Sequence, residues 1–345
     1  MAGDRRVATT NDDGDIVAGD RVGEAAVIEI TNLSKRFGEF KAVDSVSLNV
    51  RAGETVALLG PNGSGKTTTL KCLTGLARPD GGRALIGGVD VAQQPKRARA
   101  LLSFLPQRAA FPESLTALEV LQFYARLRNI PGERIEWMLE AVGLCAVKHQ
   151  PVGQFSGGMV QRLGVAVALM PETPVLVLDE PAASLDAEGV TTLRELVWQA
   201  KRRSRTILFS THVLPDVELL ADRATILVGG KLVAVESVQA LRGELAASAR
   251  LRVTLQTSDD KFVRAVRAAG AQRAELIGST LWISCKPDER CVMLRAIETV
   301  GGVVEQFSAD EPPLEEIYLR YVNAKSANSV PADFVGLRDA VPETS

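Results

Sequence analysis

Gly60-Pro61-Asn62-Gly63-Ser64-Gly65-Lys66-Thr67 is the stretch that decides the fold. Thr55 to Leu59 before it reads as a strand that ends in glycine. After it, helical spacing runs until the breakers Ala77-Arg78-Pro79-Asp80-Gly81-Gly82. The unit is strand, glycine loop, helix, the setting in which G-x-x-x-x-G-K-[ST] makes a phosphate cradle. The loop lets backbone N–H groups turn inward on phosphate oxygens, the helix N-terminus adds partial positive charge, and Lys66 reaches the β- and γ-phosphates. Gly60, Pro61, Asn62, Gly63, Ser64, Gly65, Lys66, Thr67 and Thr68 are therefore candidate nucleotide-binding residues, with Thr67 a candidate Mg²⁺ ligand.

Downstream, Val175-Leu176-Val177-Leu178 is an apolar run of the kind buried on both faces of a parallel sheet, and Asp179-Glu180 closes it. Two carboxylates at the carboxyl end of such a strand stand where doubly wound sheets bind ligands. By itself the pair would be a solvated strand end. Below a phosphate loop, Asp179 suits the metal and Glu180 suits the attacking water, the role phosphoryl transfer leaves to a protein side chain. Thr206 to Phe209 is a second buried run, and Val27 to Leu33 and Ala42 to Val50 alternate as half-buried strands. Thr116 and Glu119 form a capping box before a helix reaching Arg128, inside a mostly helical insert from about 107 to 163. The fold class is α/β, a P-loop NTPase core sheet with a helical subdomain, over residues 25–240.

Beyond Leu241 the pattern changes. Arg250–Leu255, Thr280–Ser284 and Val303–Phe307 read as strands with helical stretches after the first two, a small α+β unit over 241–323. Residues 1–24 are polar and without an apolar core, so they read as a disordered tail rather than a secretory signal; 324–345 reads as a second loose tail.

Bulk properties narrow the function. Forty basic against forty-two acidic residues give a net charge of -2, so nothing favours wrapping nucleic acid. No run reaches the roughly 18 apolar residues of a spanning helix. Cys72, Cys145, Cys285 and Cys291 show no paired spacing and read as reduced thiols, Cys72 packed in the core.

Gln154-Phe155-Ser156-Gly157-Gly158-Met159-Val160-Gln161-Arg162 resembles the signature motif of ABC ATPases and precedes the acidic strand at that family's spacing. Phe155 replaces the usual leucine and Met159 the usual glutamine; Ser156, Gly157 and Gly158, the phosphate-contacting part, are intact. Ser156 caps a helix whose free N–H groups can face an anion. The resemblance implies that Phe37 stacks on adenine, that Gln107 senses Mg²⁺ and the attacking water, that Ser184-Leu185-Asp186 couples two sites, and that His212 contacts the γ-phosphate. It also implies ATP and Mg²⁺ as ligands and a head-to-tail homodimer, Ser156 of one copy closing over the ATP on Lys66 of the other. It further implies an integral membrane permease as partner, which holds this cytoplasmic chain on the inner face of the cell membrane and meets residues 107–115 through Phe111 and Pro112.

Two other classes fit less well. ABC ATPases of DNA repair or translation carry paired cassettes or a long coiled-coil insertion, and a guanine-specific P-loop protein needs an Asn-Lys-x-Asp segment; neither feature occurs. Within transporters, the phosphate loop and Pro313-Leu314-Glu315-Glu316-Ile317-Tyr318 resemble ABC-2-type exporter ATPases. Phe104 to Leu127 resembles the ATPases of copper-site maturation for nitrous oxide reductase.

Overall fold

The computed structural model describes residues 9–10, 16–17, 26–248 and 250–310, and the chain divides into two compact units between Val238 and Gln239. Within the segment expected as an N-terminal tail, β1 (Thr9–Thr10) and β2 (Ile16–Val17) pair antiparallel. The rest of residues 1–24, the expected tail over 324–345 and the stretch Pro313 to Tyr318 lie outside the described residues.

In the first unit β3 (Ala26–Phe37) and β4 (Phe40–Arg51) pair antiparallel across a turn at Gly38. Both outrun the expected strands. Pairing persists after the apolar alternation fades, Arg36 facing Lys41 and Phe37 facing Phe40, through register shifts that bend the ribbon. A turn leads to β5 (Thr55–Leu59), buried along its whole length, and through the glycine loop to α1 (Lys66–Leu73). β6 (Gly81–Ile86) and β7 (Val89–Asp90) return to the first pair and give an antiparallel sheet in the order β4-β3-β6-β7. α2 (Pro95–Ala100) opens on a proline, tolerated in the first turn where no N–H partner is needed, and feeds β8 (Leu102–Leu105).

The helical insert holds α3 (Ala117–Arg128), α4 (Glu133–Ala141) and α5 (Gly157–Leu169). At the start of α3 the Glu119 N–H donates to Thr116 Oγ1 at 3.2 Å and the Thr116 N–H to Glu119 Oε2 at 2.8 Å, the reciprocal cap read in the sequence. α5 runs past the expected end near Leu163, because Leu163, Val165, Ala166, Ala168 and Leu169 keep burying one surface until Pro171 stops the helix. β9 (Val175–Asp179), α6 (Ala187–Arg202), β10 (Thr206–Thr211), α7 (Leu214–Leu220), β11 (Arg223–Val228) and β12 (Lys231–Ser237) follow. The main sheet has the order β12-β11-β5-β10-β9-β8. Its pairs are parallel except β11 with β12. Leu70 and Leu73 of α1 lie in the core that joins both sheets, with Ile28, Leu48, Val56 and Leu208; each fully buried leucine contributes about 1.5–3 kcal/mol.

α8 (Val238–Ser248) begins at the division. The second unit then runs β13 (Arg250–Leu255), α9 (Asp260–Ala268), β14 (Arg273–Ile277), β15 (Thr280–Ser284), α10 (Arg290–Thr299) and β16 (Val304–Asp310). This is a β-α-β-β-α-β chain with an antiparallel sheet in the order β14-β15-β13-β16. Phe262, Val266, Met293 and Ile297 of the helices pack on Leu251, Val253, Leu281 and Ile283 of the strands. β14 was not among the expected strands: it is an edge strand in which only Ala274 is fully buried between exposed Arg273 and Glu275, too little apolar alternation to read.

Candidate functional site

The glycine loop leaves the carboxyl end of β5 and opens α1, with Gly65 in the cap position and no side-chain cap. Gly65 has φ 101 and ψ 1, a conformation L residues rarely adopt, and a methyl group there would overlap the Ala42 carbonyl oxygen. Lys66 is buried. Its Nζ donates to the carbonyls of Gly60 at 2.8 Å and Pro61 at 3.3 Å, and pairs with Glu180 Oε1 at 3.2 Å. Thr67 Oγ1 donates to Asp179 Oδ1 at 3.1 Å, while Thr68 is half-buried on the same turn.

The register of the sheet gathers the remaining groups. β9 and β10 are parallel with Asp179 opposite Ser210, so Asp179, Glu180 and His212 emerge together beside the glycine loop. Burial pushes the Asp179 carboxyl above the usual carboxylate range, opposed by hydrogen bonds from Ser210 and Thr67. Glu180 is buried with φ 46, the left-handed region, and its N–H donates to Ser210 Oγ at 2.8 Å. Glu180 Oε2 lies 2.7 Å from His212 Nδ1, whose ring is largely exposed. Lys66, Thr67, Asp179, Glu180 and His212 thus form one connected cluster.

Other expected residues stand apart from that cluster. Gln107 is exposed in the loop after β8; the pairing of Leu105 with Leu178 brings that loop to the same end of the sheet, but Gln107 makes no hydrogen bond to the carboxylates. Phe37 is 57% exposed at the end of β3, with Lys35 Nζ 5.6 Å over its ring. Ser156 is exposed and caps α5, accepting the Met159 N–H at 3.3 Å. Neither it nor Gly157 or Gly158 bonds to the glycine loop of its own chain.

Gln161, Arg162 and Ser210 are three functional candidates missed in the sequence, the first two acting beside the expected Gly158. Gly158, Gln161 and Arg162, at the i, i+3 and i+4 spacing of one helix face, grip the segment after Glu180. A methyl on Gly158 would stand 3.0 Å from the Ser184 carbonyl oxygen. Gln161 Nε2 donates to the Pro181 carbonyl at 3.3 Å, and Arg162 Nη2 to Asp186 Oδ1 at 2.6 Å. Asp186 in turn caps α6 through the Gly189 N–H. The helical spacing was the available signal for Gln161 and Arg162. Ser210 is the third; it offered no signal, because a serine in an apolar run looks like a tolerated small residue.

The donor set fits a nucleotide with a hard cation. Ser64 Oγ, at the centre of the loop, is buried without a hydrogen-bond partner. A buried lysine and two buried carboxylates with an adjacent threonine hydroxyl supply the charge that phosphates and Mg²⁺ need.

Residues 43–183 match the family described as ABC transporter. The daunorubicin resistance ATP-binding protein DrrA2 of Streptomyces coeruleorubidus is 32% identical over 311 residues, 86% of this chain and 95% of the relative. The chain belongs to the ABC transporter family. Its cassette is an ATP-binding ATPase domain of the P-loop NTPase fold. Human phospholipid-transporting ATPase ABCA7 is 32% identical over 89% of the chain, although the chain spans only 15% of that protein's length. A solved structure of the ATP-binding subunit of an ABC transporter superposes with a TM-score of 0.59 at 30% identity, covering 63% of this chain and 92% of the other. A dimeric bacterial ABC transporter cassette superposes with a TM-score of 0.57 at 25% identity, covering 61% and 98%. No described helix is long and apolar enough to cross a membrane.

Proposed function

We propose that this cassette is the motor of an exporter, hydrolysing ATP in a head-to-tail homodimer that drives a separate membrane permease from the inner face of the cell membrane. The observation that carries the proposal is the Lys66–Glu180–His212 cluster joined to Thr67 and Asp179 at the mouth of the glycine loop. Gly60 to Thr68 hold the substrate's phosphates, Phe37 stacks on its base, and Glu180 accepts the proton of the attacking water while His212, hydrogen-bonded to it, orients that carboxylate. Thr67 and Asp179, with Gln107, would hold Mg²⁺, which when bound would supply charge neutralisation on the phosphates. Ser156, Gly157 and Gly158 serve the site of the second copy. The exposure of Ser156 and Gly157 and the lack of contact of all three with the home loop support that division, as does the dimeric state of the related bacterial cassette.

Export is supported by the relatives named for drug resistance and phospholipid transport. Copper-site maturation is a second reading, and the resemblance over Phe104 to Leu127 favours it. Exposed Phe123 and Leu127, one turn apart on α3, offer the permease an apolar seat, and Phe111 of residues 107–115 meets the neighbouring Tyr124 edge-on.

Nucleotide binding measured beside phosphate release tests the assignment. Glu180→Gln is expected to bind ATP as the wild type does while turnover falls by at least about 100-fold, the scale of a lost general base. Lys66→Ala is expected to lose both. Wild-type turnover in Glu180→Gln would remove the assigned base.

A further inference from the structure

Ser210 is 0% exposed in the middle of the main sheet, between Asp179 on β9 and Leu58 on β5. An aliphatic residue would be the ordinary occupant of a strand buried on both faces, since an unbonded hydroxyl there costs about 1–3 kcal/mol. This hydroxyl is used in both directions. It donates to Asp179 Oδ1 at 2.6 Å and accepts the Glu180 N–H at 2.8 Å.

Two consequences meet at that one atom. Asp179 Oδ1 receives both the Ser210 and the Thr67 hydroxyls, so the carboxylate is pinned and Oδ2 is the oxygen without a hydrogen bond among the described residues. Glu180 sits at φ 46, a conformation that costs a glutamate about 1–2 kcal/mol and persists only where the surroundings hold it. Its N–H is held by the same Ser210 oxygen. The two carboxylate oxygens of Glu180, by contrast with its backbone, are shared between Lys66 and His212 and would not fix the peptide by themselves.

We propose that Ser210 is a positioning residue that sets the metal-facing carboxylate of Asp179 and the strained peptide of Glu180 as a single unit. The inference rests on the ATPase roles assigned above to those two residues. Partners behind metal-ligating carboxylates typically change metal affinity or activity by about 10–100-fold when removed.

The experiment compares the full-length wild type, Ser210→Ala and Ser210→Thr. Binding of a fluorescent ATP analogue is measured without metal and through a Mg²⁺ titration, and kcat and KM for ATP are measured separately. Ser210→Ala is expected to keep metal-free analogue binding, to need about tenfold more Mg²⁺ for the half-maximal effect, and to lose about 10–100-fold in kcat with KM changed less than about threefold. Ser210→Thr, which keeps the hydroxyl, is expected to recover most of both losses. A wild-type Mg²⁺ midpoint and kcat in Ser210→Ala would overturn the proposal. Equal loss of metal-free and Mg²⁺-dependent binding would do so too, since that is the mark of a merely structural serine. Should Ser210→Thr fold, by its melting curve, and yet match Ser210→Ala, the hydroxyl would be irrelevant and the proposal again overturned. Failure of the wild type itself to bind Mg-nucleotide would instead sink the ATPase roles, so the two failures are distinguishable.

Discussion

Replacing Gly65 by alanine tests whether the loop is held in one shape by its surroundings. The residue has φ 101, and its new methyl would press on the Ala42 carbonyl oxygen and lie 3.4 Å from Gly230 Cα. Both neighbours are backbone, so no side chain can swing aside. The conformational strain is about 1–3 kcal/mol, and overpacking adds about 1–3 kcal/mol. If the loop stays in place, the sum of about 2–6 kcal/mol comes out of a typical stability of roughly 5–15 kcal/mol. That is a fall in Tm of roughly 5–20 °C for a domain of this size. If the loop instead backs away from Ala42, the melting point recovers but the N–H groups and Lys66 leave their positions, and stabilisation by ligand is lost. The assay is thermal melting with and without Mg-ATP; saturation at about 100 times Kd should stabilise the wild type by about 2.7 kcal/mol. Gly63→Ala is the control, with φ 79 but nothing within 4 Å of the added methyl; it should lose only about 1–2 kcal/mol and keep the ligand shift. A Gly65→Ala protein with both the wild-type Tm and the full ligand shift would refute the reasoning.

Mixing Lys66→Ala chains with Ser156→Arg chains should restore part of the turnover that neither has alone, because one composite site in the mixed dimer keeps both intact halves. Complete inactivity of the mixture, with dimers present by light scattering, would count against Ser156 acting on its partner's nucleotide. Of the four cysteines, exposed Cys145 and Cys291 should react with a maleimide in the native protein and buried Cys72 and Cys285 only after denaturation. Burial pushes the Cys72 thiol up to about 11. Because the folded value is raised, this thiol favours folding below the unfolded range near 9, and that contribution is lost as pH rises through 11. Native labelling of Cys72 near neutral pH would contradict its packing.

Where local chemistry forces geometry, the sequence was readable. Glycine before a helix, serine or threonine at a cap, and an apolar run closed by carboxylates each have one economical structure, and Gly65, Thr116 and Asp179 adopt it. Pairing between distant strands was less readable. Ser210 meets Asp179 only because β10 docks in one register against β9, and a shift of one residue would turn the hydroxyl away. Arg162 and Asp186 are separated by a strand and a turn, so nothing local announces their ion pair. The edge strand β14 failed for the opposite reason: edge strands need little apolar surface, so their pattern is faint.

The grip of α5 on the segment from Pro181 to Asp186 makes those two pieces a lever rather than two neighbours. A tilt of the helix at Ser156 would be delivered, through Gln161 and Arg162, to the segment that follows Glu180. In the proposed head-to-tail pair each copy would then report the seating of its partner's nucleotide to its own Glu180, the proposed water-activating carboxylate. Idle hydrolysis by an unpaired copy would then be suppressed without any separate inhibitory part, because the same rods and joints that complete one pocket would be needed to tension the other.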